Sequence, residues 1–377
     1  MKIAMADFIP WDYNVESVYQ IPLGGTQSAA CYLCEALAQL GHDAYLLTNT
    51  TKPGKFRGVH CLSLKTLEIQ QLRSLELDAF VLVMALYVQN NLRTILGSRC
   101  KLIFWTGHAH DQPGVQAFQE QSIRDLFDGF AFISLWQAEQ FHKKFGIDQL
   151  RMGLLRYAAS PFFIGLFKDG VSVLKEKSSS LILAYTSTPF RGLNVLLDVF
   201  PAIRAQVPGI RLQIFSSMKV YMTPEDQEAR EYGALYQRCR QTEGVEYIGS
   251  LPQPELSQRL RQVAVLAYPN TFPETSCISV IEAMAAGCRV VTSELGALPE
   301  TTAGFAKLIP VRFGGSEYQK WFINETVGVL KELTIAPETA EQLLRRQITF
   351  VNNHYTWGTR AAEWISWIAN LPVRVSI

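Results

Sequence analysis

Short apolar runs alternate with amphipathic helical patterns along most of this chain, and this alternation constrains the fold more than any other feature. In the first half, the runs expected to form strands are residues 2–6, 44–48, 79–86, 101–105 and 129–134. They are continuously apolar rather than alternating, which is typical of parallel strands that helices cover on both faces. The stretch after Thr26 has apolar residues at helical spacing and stops at Gly41, as expected of a helix that connects two such strands. The first half therefore predicts a doubly wound α/β domain.

The alternation stops at residues 158–180 and then restarts. The interruption contains Pro161, two glycines and a Lys/Ser-rich stretch that ends in serines 178–180, which is typical of an inter-domain connection. After it, the expected strands are 181–185, 211–215, 245–248, 265–268 and 289–292, and the expected helices are 193–204, 254–262 and 277–286. At roughly 150 residues per domain, the chain suits two domains, which we place at residues 1–165 and 175–357. Because ligands bind beyond the carboxyl ends of such strands, we expect two Rossmann-like domains that face each other across a cleft holding the site.

Composition excludes several functional classes. With 35 Lys and Arg against 34 Asp and Glu, the formal charge is +1, so the basic field that usually marks a nucleic-acid-binding protein is missing. The N-terminal residues become polar too early for a signal peptide, and the longest apolar run, residues 79–88, has half the length that crosses a bilayer. Seven cysteines without framework spacing indicate a reducing compartment. We therefore predict a cytoplasmic protein with no nucleic-acid partner and no transmembrane segment, which leaves peripheral membrane contact open.

Three common phosphate-binding motifs are absent from the sequence. Neither half has G-x-G-x-x-G after its first strand, and G-x-x-x-x-G-K-[ST] does not occur, which disfavours dinucleotide and P-loop chemistry. No D-x-D occurs either, so the acidic pair that anchors a metal–diphosphate in one large class of transferases is missing.

The densest chemical signal is residues 272–287, with the sequence F-P-E-T-S-C-I-S-V-I-E-A-M-A-A-G. Glu274 and Glu282 are eight residues apart, about 80° around an ideal helix, so they do not share a helix face. We expect Glu274 in the loop after the strand at 265–268 and Glu282 in the helix that follows. The N-terminus of that helix would present three backbone amides to the cleft, those of Ser276, Cys277 and Ile278. A helix N-terminus with free N–H groups binds phosphate readily; the alternative is a surface helix with two solvated glutamates.

The E-x7-E spacing followed by E-A-M-A-x-G resembles the signature of retaining glycosyltransferases with the GT-B fold, a large family that includes sucrose synthases and bacterial mannosyltransferases. Four further segments resemble the family in the same order along the chain: the glycine-rich loop with Gly24 and Gly25, the P-F-R-G-L segment at 189–193, the strand and helix at 245–256, and the terminal helix. The resemblance covers most of the chain. It implies that helix 358–377 crosses back to complete the first domain and that the second domain binds the nucleotide sugar.

The resemblance also implies roles for individual residues of the donor site. Glu274 contacts hydroxyl groups of the donor sugar, and Glu282 binds the ribose hydroxyls. Arg191 stands where the family has a lysine that neutralises the donor diphosphate, although arginine is a planar fork rather than a point donor. Gly24, Gly25 and Thr186 are also expected to bind the donor, and Tyr247 lies in the strand beside the nucleotide base.

The sequence departs from the family pattern at a second diphosphate cation. The family has an arginine five or six residues before its lysine, which here falls on Thr186 or Tyr185. This loss weakens stabilisation of the leaving diphosphate unless Lys219 or Arg289 substitutes. Two alternatives therefore stay open, a sugar-nucleotide epimerase and a non-catalytic sugar-nucleotide-binding protein.

His108 follows the strand at 101–105, in the segment W-T-G-H-A-H-D. The family often has a histidine in this region near the reacting sugar, so we predict a catalytic role for His108 in preference to His110. The alternatives are a purely structural histidine and an H-x-H metal site of the amidohydrolase type. Such a metal site needs more histidines at later strand ends, and we predict no bound metal.

Other cysteines and aromatic residues are expected to serve packing, with one exception. Cys31 and Cys34 form a lone C-x-x-C inside an amphipathic helix, which is more typical of a core than of a zinc site. Three tryptophans near the end of the chain are expected to pack: Trp357, Trp364 and Trp367. The exception is the long loop at 7–23, where Trp11 and Tyr13 are placed to touch an acceptor, since loops of this length are often functional.

These features predict an α/β protein with the GT-B fold that transfers a hexose-type sugar, with retention of configuration, from a nucleotide-diphosphate sugar to a hydroxyl group. The acceptor is a sugar, a lipid or another small molecule. The expected catalytic residues are Glu274, His108 and Arg191, and the expected chemistry needs no metal and no cofactor besides the donor itself. The sequence does not specify the nucleotide base, the transferred sugar, the acceptor or the oligomeric state.

Overall fold

The computed structural model describes residues 1–84, 86, 89–168, 170–177, 181–311 and 315–372. The chain divides into two compact units. Unit 1 comprises Met1–Gln20, Gly24–Ala158 and the chain from Trp357 onward, and unit 2 comprises Ile21–Leu23 and Ala159–Thr356. Serines 178–180 of the expected connection, residues 373–377 of the expected terminal helix and residues 85, 87 and 88 of the longest apolar run lie outside the described residues.

Unit 1 is built around a largely parallel sheet. Its strands are Lys2–Asp7 (β1), Asp43–Thr48 (β2), Gly54–Phe56 (β3), Val59–Ser63 (β4), Ala79–Val83 (β5), Lys101–Trp105 (β6), Gly129–Phe132 (β7) and Met152–Leu154 (β8). Its helices are Ser17–Gln20 (α1), Gly25–Gln39 (α2), Ile69–Ser74 (α3), Gln89–Leu96 (α4), Gln121–Arg124 (α5), Leu135–Phe145 (α6) and Trp357–Asn370 (α15, numbered in chain order). Across the described residues the strand order is β3-β4-β2-β1-β5-β6-β7-β8, and only the β3–β4 pair is antiparallel.

Unit 2 is built around a second, fully parallel sheet. Its strands are Ile182–Tyr185 (β9), Arg211–Ile214 (β10), Val245–Tyr247 (β11), Val265–Tyr268 (β12), Arg289–Glu294 (β13) and Lys307–Pro310 (β14). Its helices are Val173–Glu176 (α7), Leu193–Gln206 (α8), Glu225–Gln241 (α9), Gln253–Arg261 (α10), Ile278–Ala285 (α11), Leu298–Thr302 (α12), Gly315–Ile335 (α13) and Pro337–His354 (α14). In the part of the chain that the structure describes, the order β11-β10-β9-β12-β13-β14 reverses direction between β9 and β12. This order is that of a Rossmann fold.

Each sheet contains a central strand that is buried along its whole length. Every residue of β5 and of β12 is buried, as expected of the continuous apolar runs from which these strands were predicted. The chain has an α/β fold with two units of parallel sheet, as predicted.

The division between the units differs slightly from the expected boundary at residue 165. Residues 159–165 belong to unit 2, because Ala159 and Phe163 are buried in the same apolar core as β9 and β12. Helix α15 belongs to unit 1, where the ring of Trp364 meets that of Trp105 at 5.3 Å. Trp367 lies so close to Gly129 and Gly153 that a Cβ at Gly153 would be 2.5 Å from its ring.

The packing roles predicted for Cys31, Cys34 and the tryptophans are confirmed. Both cysteines are free and buried in helix α2. Trp357 and Trp364 are buried in α15.

Candidate functional site

Strands β9 and β12 are neighbours at the point where the strand order of unit 2 reverses. Ligands of open α/β sheets bind beyond the carboxyl ends of the strands at such a point. Strand β9 ends at Tyr185 and leads into a short 3-10 turn, Pro189–Arg191. Strand β12 ends at Tyr268 and leads into the loop that contains Glu274. The fold therefore brings the two predicted residues Arg191 and Glu274 to one edge of the sheet.

The Arg191 and Glu274 side chains form an ion pair at this edge. Arg191 Nη1 lies 2.7 Å from both Oε1 and Oε2 of Glu274, and the hydroxyl of Tyr268 donates to Oε1 at 2.5 Å. The Glu274 side chain is 3% exposed and that of Arg191 is 21% exposed. Burial is the largest single effect on the pKa of Arg191 and lowers it. The Glu274 carboxylate, together with Tyr221, Tyr268 and Cys277, outweighs burial, so the pKa lies well above its ordinary value. Arg191 is therefore held in the charged state.

The remaining donors of Arg191 lie in a partly aromatic setting. Its Cζ is 4.7 Å from the ring centre of Phe272 and 5.5 Å from that of Phe190. Nη2 donates to the hydroxyl of Tyr221 at 3.4 Å, and Nε is buried without a partner among the described residues. The Nε–Nη2 edge of the guanidinium thus keeps hydrogen-bond donors that Glu274 does not use.

Two glycines permit the close approach of the segments that carry this pair. Gly192 follows Arg191 with φ +112°, and a Cβ there would lie 2.1 Å from the carbonyl oxygen of Pro269 in the loop after β12. Gly296 has φ +61°, and a Cβ there would lie 2.4 Å from the carbonyl oxygen of Glu274. Any larger residue at either position would push the Glu274 loop away.

Helix α11 begins where the sequence predicts it. Cys277 is its N-cap and Ile278 its first residue. The amides of Ser276, Cys277 and Ile278 therefore stand at the helix N-terminus, where the helix itself offers no carbonyl acceptor for them. Ser279 Oγ donates to the carbonyl oxygen of Thr186 at 2.7 Å, which places this N-terminus against the end of β9. A phosphate-binding role for the three amides stays a prediction.

Glu282 lies in the second turn of α11, as predicted, but its carboxylate is buried and already has protein partners. The backbone N–H of Ser160 donates to Oε1 at 3.3 Å, and the side chain of Gln253 also hydrogen-bonds to it. Burial raises the pKa of Glu282 to about 8, against the lowering effect of these two hydrogen bonds. In its predicted contact with a ribose, the carboxylate would therefore have to accept hydrogen bonds from the ribose as well as from one of these two partners.

The two positions at which the family pattern would place a second arginine are Tyr185 and Thr186. Tyr185 is fully buried in the core, where its hydroxyl donates to the carbonyl oxygen of Thr188 at 2.7 Å. Thr186 is the first residue beyond the strand, and its hydroxyl is buried without a partner in the described part of the chain.

Of the two proposed substitutes for the missing cation, Arg289 is excluded. It is the first residue of β13, so it lies at the amino edge of the parallel sheet, opposite to Glu274. Its Nη1 donates to the carbonyl oxygen of Phe305, and Nη2 is 3.6 Å from Glu332. Lys219 lies in the turn Met218–Tyr221 after β10, at the carboxyl edge, and pairs at 2.9 Å with the exposed Glu225.

Tyr247 ends strand β11, as predicted, and contacts the loop after β10. Its hydroxyl donates to the carbonyl oxygen of Ser216 at 2.9 Å. Its ring stacks on that of Tyr236 at 4.8 Å, and Cζ of Arg240 lies 4.6 Å from its centre. Its proximity to a nucleotide base stays a prediction.

The predicted residues of unit 1 lie beyond the carboxyl ends of its own strands. Gly24 is the N-cap of α2 and Gly25 its first residue. His108 follows β6, and its backbone is fixed because its carbonyl oxygen accepts from Gln137 Nε2 at 2.7 Å. Burial lowers the pKa of His108, so its imidazole is neutral at pH 7. The Nδ1 atoms of both His108 and His110 are buried without partners among the described residues, so this feature does not separate the two.

The prediction that Tyr13 touches an acceptor is wrong. Tyr13 is fully buried, and its hydroxyl donates to Oδ2 of Asp7 at 2.8 Å. Asp7 also accepts from Gln27 of α2 at 2.8 Å. Tyr13 thus holds the long loop to the sheet, whereas Trp11 is half-buried.

Tyr268 and Tyr221 contact the Arg191–Glu274 pair and were not singled out from the sequence. The position of Tyr268 at the very end of a predicted strand, beside the switch point, was the available signal. Tyr221 has no comparable signal, because its approach to Arg191 depends on the turn after β10.

No group of three His, Cys, Asp or Glu residues in the described ranges is arranged to hold a metal ion. Among the same residues, no helix is both long enough and apolar enough to span a membrane.

Comparison with known proteins identifies relatives for part of the chain by sequence and for nearly all of it by fold. Residues 180–312 match the family described as "Glycosyl transferases group 1". The phosphatidyl-myo-inositol mannosyltransferase of Mycobacterium tuberculosis is 30% identical over 123 residues, which are 33% of this chain and 30% of the relative. The chain thus spans about a third of the length of the curated relative it matches.

Two solved structures align over 98% of this chain and 98% of their own. They are a glycosyltransferase from Rickettsia africae, with a TM-score of 0.72 and 10% identity, and a sucrose-phosphate synthase from Thermosynechococcus elongatus, with a TM-score of 0.69 and 16% identity. These likenesses show that the chain has the GT-B fold.

Proposed function

We propose that this chain is a glycosyltransferase that moves a sugar from a nucleotide-diphosphate sugar to an acceptor hydroxyl. The observation that carries the proposal is the Arg191–Glu274 pair at the switch point between β9 and β12. It joins a cation for phosphate with a carboxylate for sugar hydroxyls at the edge where such folds bind ligands. The family match over residues 180–312, which lie within unit 2, supports the same function.

In this proposal the donor lies along the carboxyl edge of unit 2. Its diphosphate meets the Nε–Nη2 edge of Arg191 and the N-terminus of α11. Glu274 Oε2 accepts one hydrogen bond from Arg191, which leaves capacity for a sugar hydroxyl. The ribose approaches Glu282, and the base approaches Tyr247.

The proposed reaction proceeds with retention of configuration and without a metal ion. The bond between the anomeric carbon and the phosphate oxygen breaks, and a bond to the acceptor oxygen forms on the same face of the sugar. The acceptor proton passes to a departing phosphate oxygen, so no strong protein base is needed. Negative charge grows on the diphosphate as it leaves, and Arg191 is already charged and held in place to stabilise it.

For unit 1, we propose that Gly24 and Gly25 also bind the donor, that His108 acts on the reacting sugar, and that the acceptor binds to this unit. The neutral imidazole of His108 is suited to hydrogen-bonding a sugar or acceptor hydroxyl. The mycobacterial relative is named as a mannosyltransferase that acts on phosphatidyl-myo-inositol, so mannosyl donors and lipid acceptors are the first candidates to test.

The test is a panel of nucleotide sugars with UDP, GDP and ADP as the nucleotide. Binding is measured by thermal shift, and turnover by release of the nucleoside diphosphate with and without candidate acceptors. A bound donor at 100 times its Kd is expected to add about 2.7 kcal/mol of stability. The anomeric configuration of the product, measured by NMR, tests retention.

The matched variant is Glu274→Gln, which keeps the shape and an acceptor oxygen but removes the charge. It is expected to fold and to lose turnover. If no nucleotide sugar stabilises the wild type, the proposal is wrong. If a donor is bound and its sugar is isomerised rather than transferred, the protein is an epimerase.

A further inference from the structure

The segments that follow β9 and β10 at the carboxyl edge of unit 2 carry three hydroxyl groups and one guanidinium nitrogen that are buried without a partner in the described part of the chain. They are Thr186 Oγ1, Thr188 Oγ1, Ser216 Oγ and Arg191 Nε. Thr186 is 9% exposed, Thr188 6% and Ser216 1%. Buried polar groups almost always have partners, because an unpaired one loses its hydration without compensation. This cluster therefore needs a physical explanation.

The strand register brings these groups to neighbouring positions. Tyr185 at the end of β9 pairs with Ile214 at the end of β10, and the N–H of Phe215 donates to the carbonyl oxygen of Tyr185 at 2.8 Å. Thr186 is the first residue beyond β9 and Ser216 the second beyond β10, so the two leave neighbouring strands at the same edge, one position apart in register. Thr188 and Arg191 follow on the turn after β9.

The backbone on which these hydroxyls stand is fixed from two sides. The hydroxyl of Tyr247 donates a hydrogen bond to the carbonyl oxygen of Ser216 at 2.9 Å. The hydroxyl of Ser279, in the first turn of α11, donates to the carbonyl oxygen of Thr186 at 2.7 Å. The next two residues after Ser216 are also held, because Oε1 of the buried Glu228 accepts from Ser217 Oγ at 2.8 Å and from the N–H of Met218 at 2.7 Å. The loops are thus built to keep the hydroxyls in place.

Arg191 and Lys219, the cations of the turns after β9 and β10, are already paired with carboxylates. Nη1 of Arg191 is committed to Glu274, and Lys219 pairs with Glu225 near the surface. A ligand that enters between β9 and β10 would meet neutral hydroxyl donors and the free Nε of Arg191. Hydroxyl and guanidinium N–H donors suit the acceptor-only oxygens of a phosphate group.

We infer that Thr186, Thr188 and Ser216, together with Arg191 Nε, form a hydroxyl-lined site for the phosphate groups of the donor, in place of a second cation. This inference rests on the proposed function and deepens it. It explains why the residues at this edge include hydroxyls that the protein itself leaves unpaired.

The test compares the variants Thr186→Val, Thr188→Val and Ser216→Ala with the control Thr326→Val. Thr326 lies in α13, is fully buried, and also has a hydroxyl without a partner among the described residues. The control therefore removes the same chemistry away from the site. Titration calorimetry measures the affinity for UDP, GDP and ADP and for the matching nucleosides, and thermal unfolding measures Tm without ligand.

Each site variant is expected to weaken nucleoside-diphosphate affinity about tenfold, as for the loss of one hydrogen bond to a charged group, and to leave nucleoside affinity unchanged. Thr326→Val is expected to change neither affinity. In all four variants the ligand-free Tm is expected to stay the same or rise, because an unpaired buried hydroxyl is removed. Thr186→Ser, which keeps the hydroxyl, is expected to bind like the wild type.

Three results separate the possibilities. If the wild type binds a nucleoside diphosphate and the site variants bind it equally well, the inference is overturned and the proposed function stands. A fall of Tm in the site variants but not in Thr326→Val would give these hydroxyls a structural role and would also overturn the inference. If the wild type binds no nucleoside diphosphate, the proposed function fails and the inference fails with it.

Discussion

Arg191 and Glu274 stabilise each other, in addition to the roles that we propose for them in binding a ligand. Each satisfies the charge of the other in a largely buried setting, so removing one leaves the other as an uncompensated buried charge, which costs about 3–5 kcal/mol in typical proteins. A loss of activity in an alanine variant of either residue therefore combines chemistry and stability. Arg191→Lys keeps both charges and so separates the two effects, whereas Glu274→Gln removes one charge and its Tm has to be measured beside its turnover.

The buried carboxyl of Glu282 predicts a pH dependence of stability. Its pKa is raised by burial from 4.5 to about 8 in the folded state, so between these values the folded protein binds more protons than the unfolded one. The free energy of unfolding should therefore fall as pH rises from about 5 to above 8. Glu282→Gln removes this dependence, and the variant should gain on the order of a few kcal/mol over the wild type across that interval.

The measurement is urea unfolding of both proteins at pH 5 and pH 8.5. All other titrating groups are common to the two proteins, so the difference between their slopes reports Glu282. Parallel pH profiles would contradict the assignment of a raised pKa.

At the scale of elements, Lys177 fixes the end of α11 that is distant from the donor site. Its buried Nζ donates to the carbonyl oxygen of Arg261, the last residue of α10, at 3.1 Å and to that of Ala286, the C-cap of α11, at 2.7 Å. Lys177→Met keeps the length of the side chain but leaves the buried carbonyl of Ala286 and the partly buried carbonyl of Arg261 unpaired. An unpaired buried carbonyl costs roughly 1–3 kcal/mol, and a partly buried one costs less. A chemical denaturation curve should show this loss, whereas the exposed control Lys175→Met should unfold like the wild type. Equal stability of both variants would contradict the role of Lys177.

The elements that the sequence predicted best are the buried strands. Lys101–Trp105 and Val265–Tyr268 have the predicted bounds, because an apolar run closed by polar residues marks a strand covered on both faces. Helix α9, Glu225–Gln241, was not predicted, because it buries only three of its residues, Glu228, Tyr236 and Cys239, and has little apolar pattern. Amphipathic patterns signal helices only where one face is buried.

The contacts of the site were less accessible to sequence reasoning than its residues. Arg191 and Glu274 are 83 positions apart, and their pairing depends on β9 lying beside β12. Tyr13 was expected to face an acceptor because it lies in a long loop. Its hydroxyl instead donates a buried hydrogen bond to Asp7, and its ring lies in the core. Local sequence does not reveal which loop residues a buried carboxylate will hold.

At the scale of the whole molecule, the two units contribute different parts of the proposed reaction. The family match falls within unit 2, and the proposed donor site is formed there by Arg191, Glu274 and the N-terminus of α11. The proposal for the acceptor rests on the residues of unit 1. Because the proposed reaction needs residues of both units, activity should be assayed on a chain that contains both.

Metal independence is predicted for the intact chain. In the proposed donor site the charge of the diphosphate is met by Arg191, by hydroxyl donors and by the α11 dipole, so turnover in excess EDTA should equal turnover in buffer. The check is a rate measurement with chelator, followed by addition of Mg²⁺ or Zn²⁺. Activity that disappears with EDTA and returns with either metal would contradict the metal-free mechanism.

The central claim is that Arg191 stabilises a departing nucleoside diphosphate in unit 2. Its most direct test is to measure donor turnover and nucleotide affinity side by side in the wild type, Arg191→Ala and Arg191→Lys. Because charge on the diphosphate grows in the transition state, Arg191→Ala should lower kcat about 10²–10³-fold, the usual loss for one preorganised electrostatic group, and should weaken donor affinity much less. Arg191→Lys should recover a good part of kcat, and circular dichroism should show that both variants are folded. A folded Arg191→Ala variant with the kcat of the wild type would contradict the account.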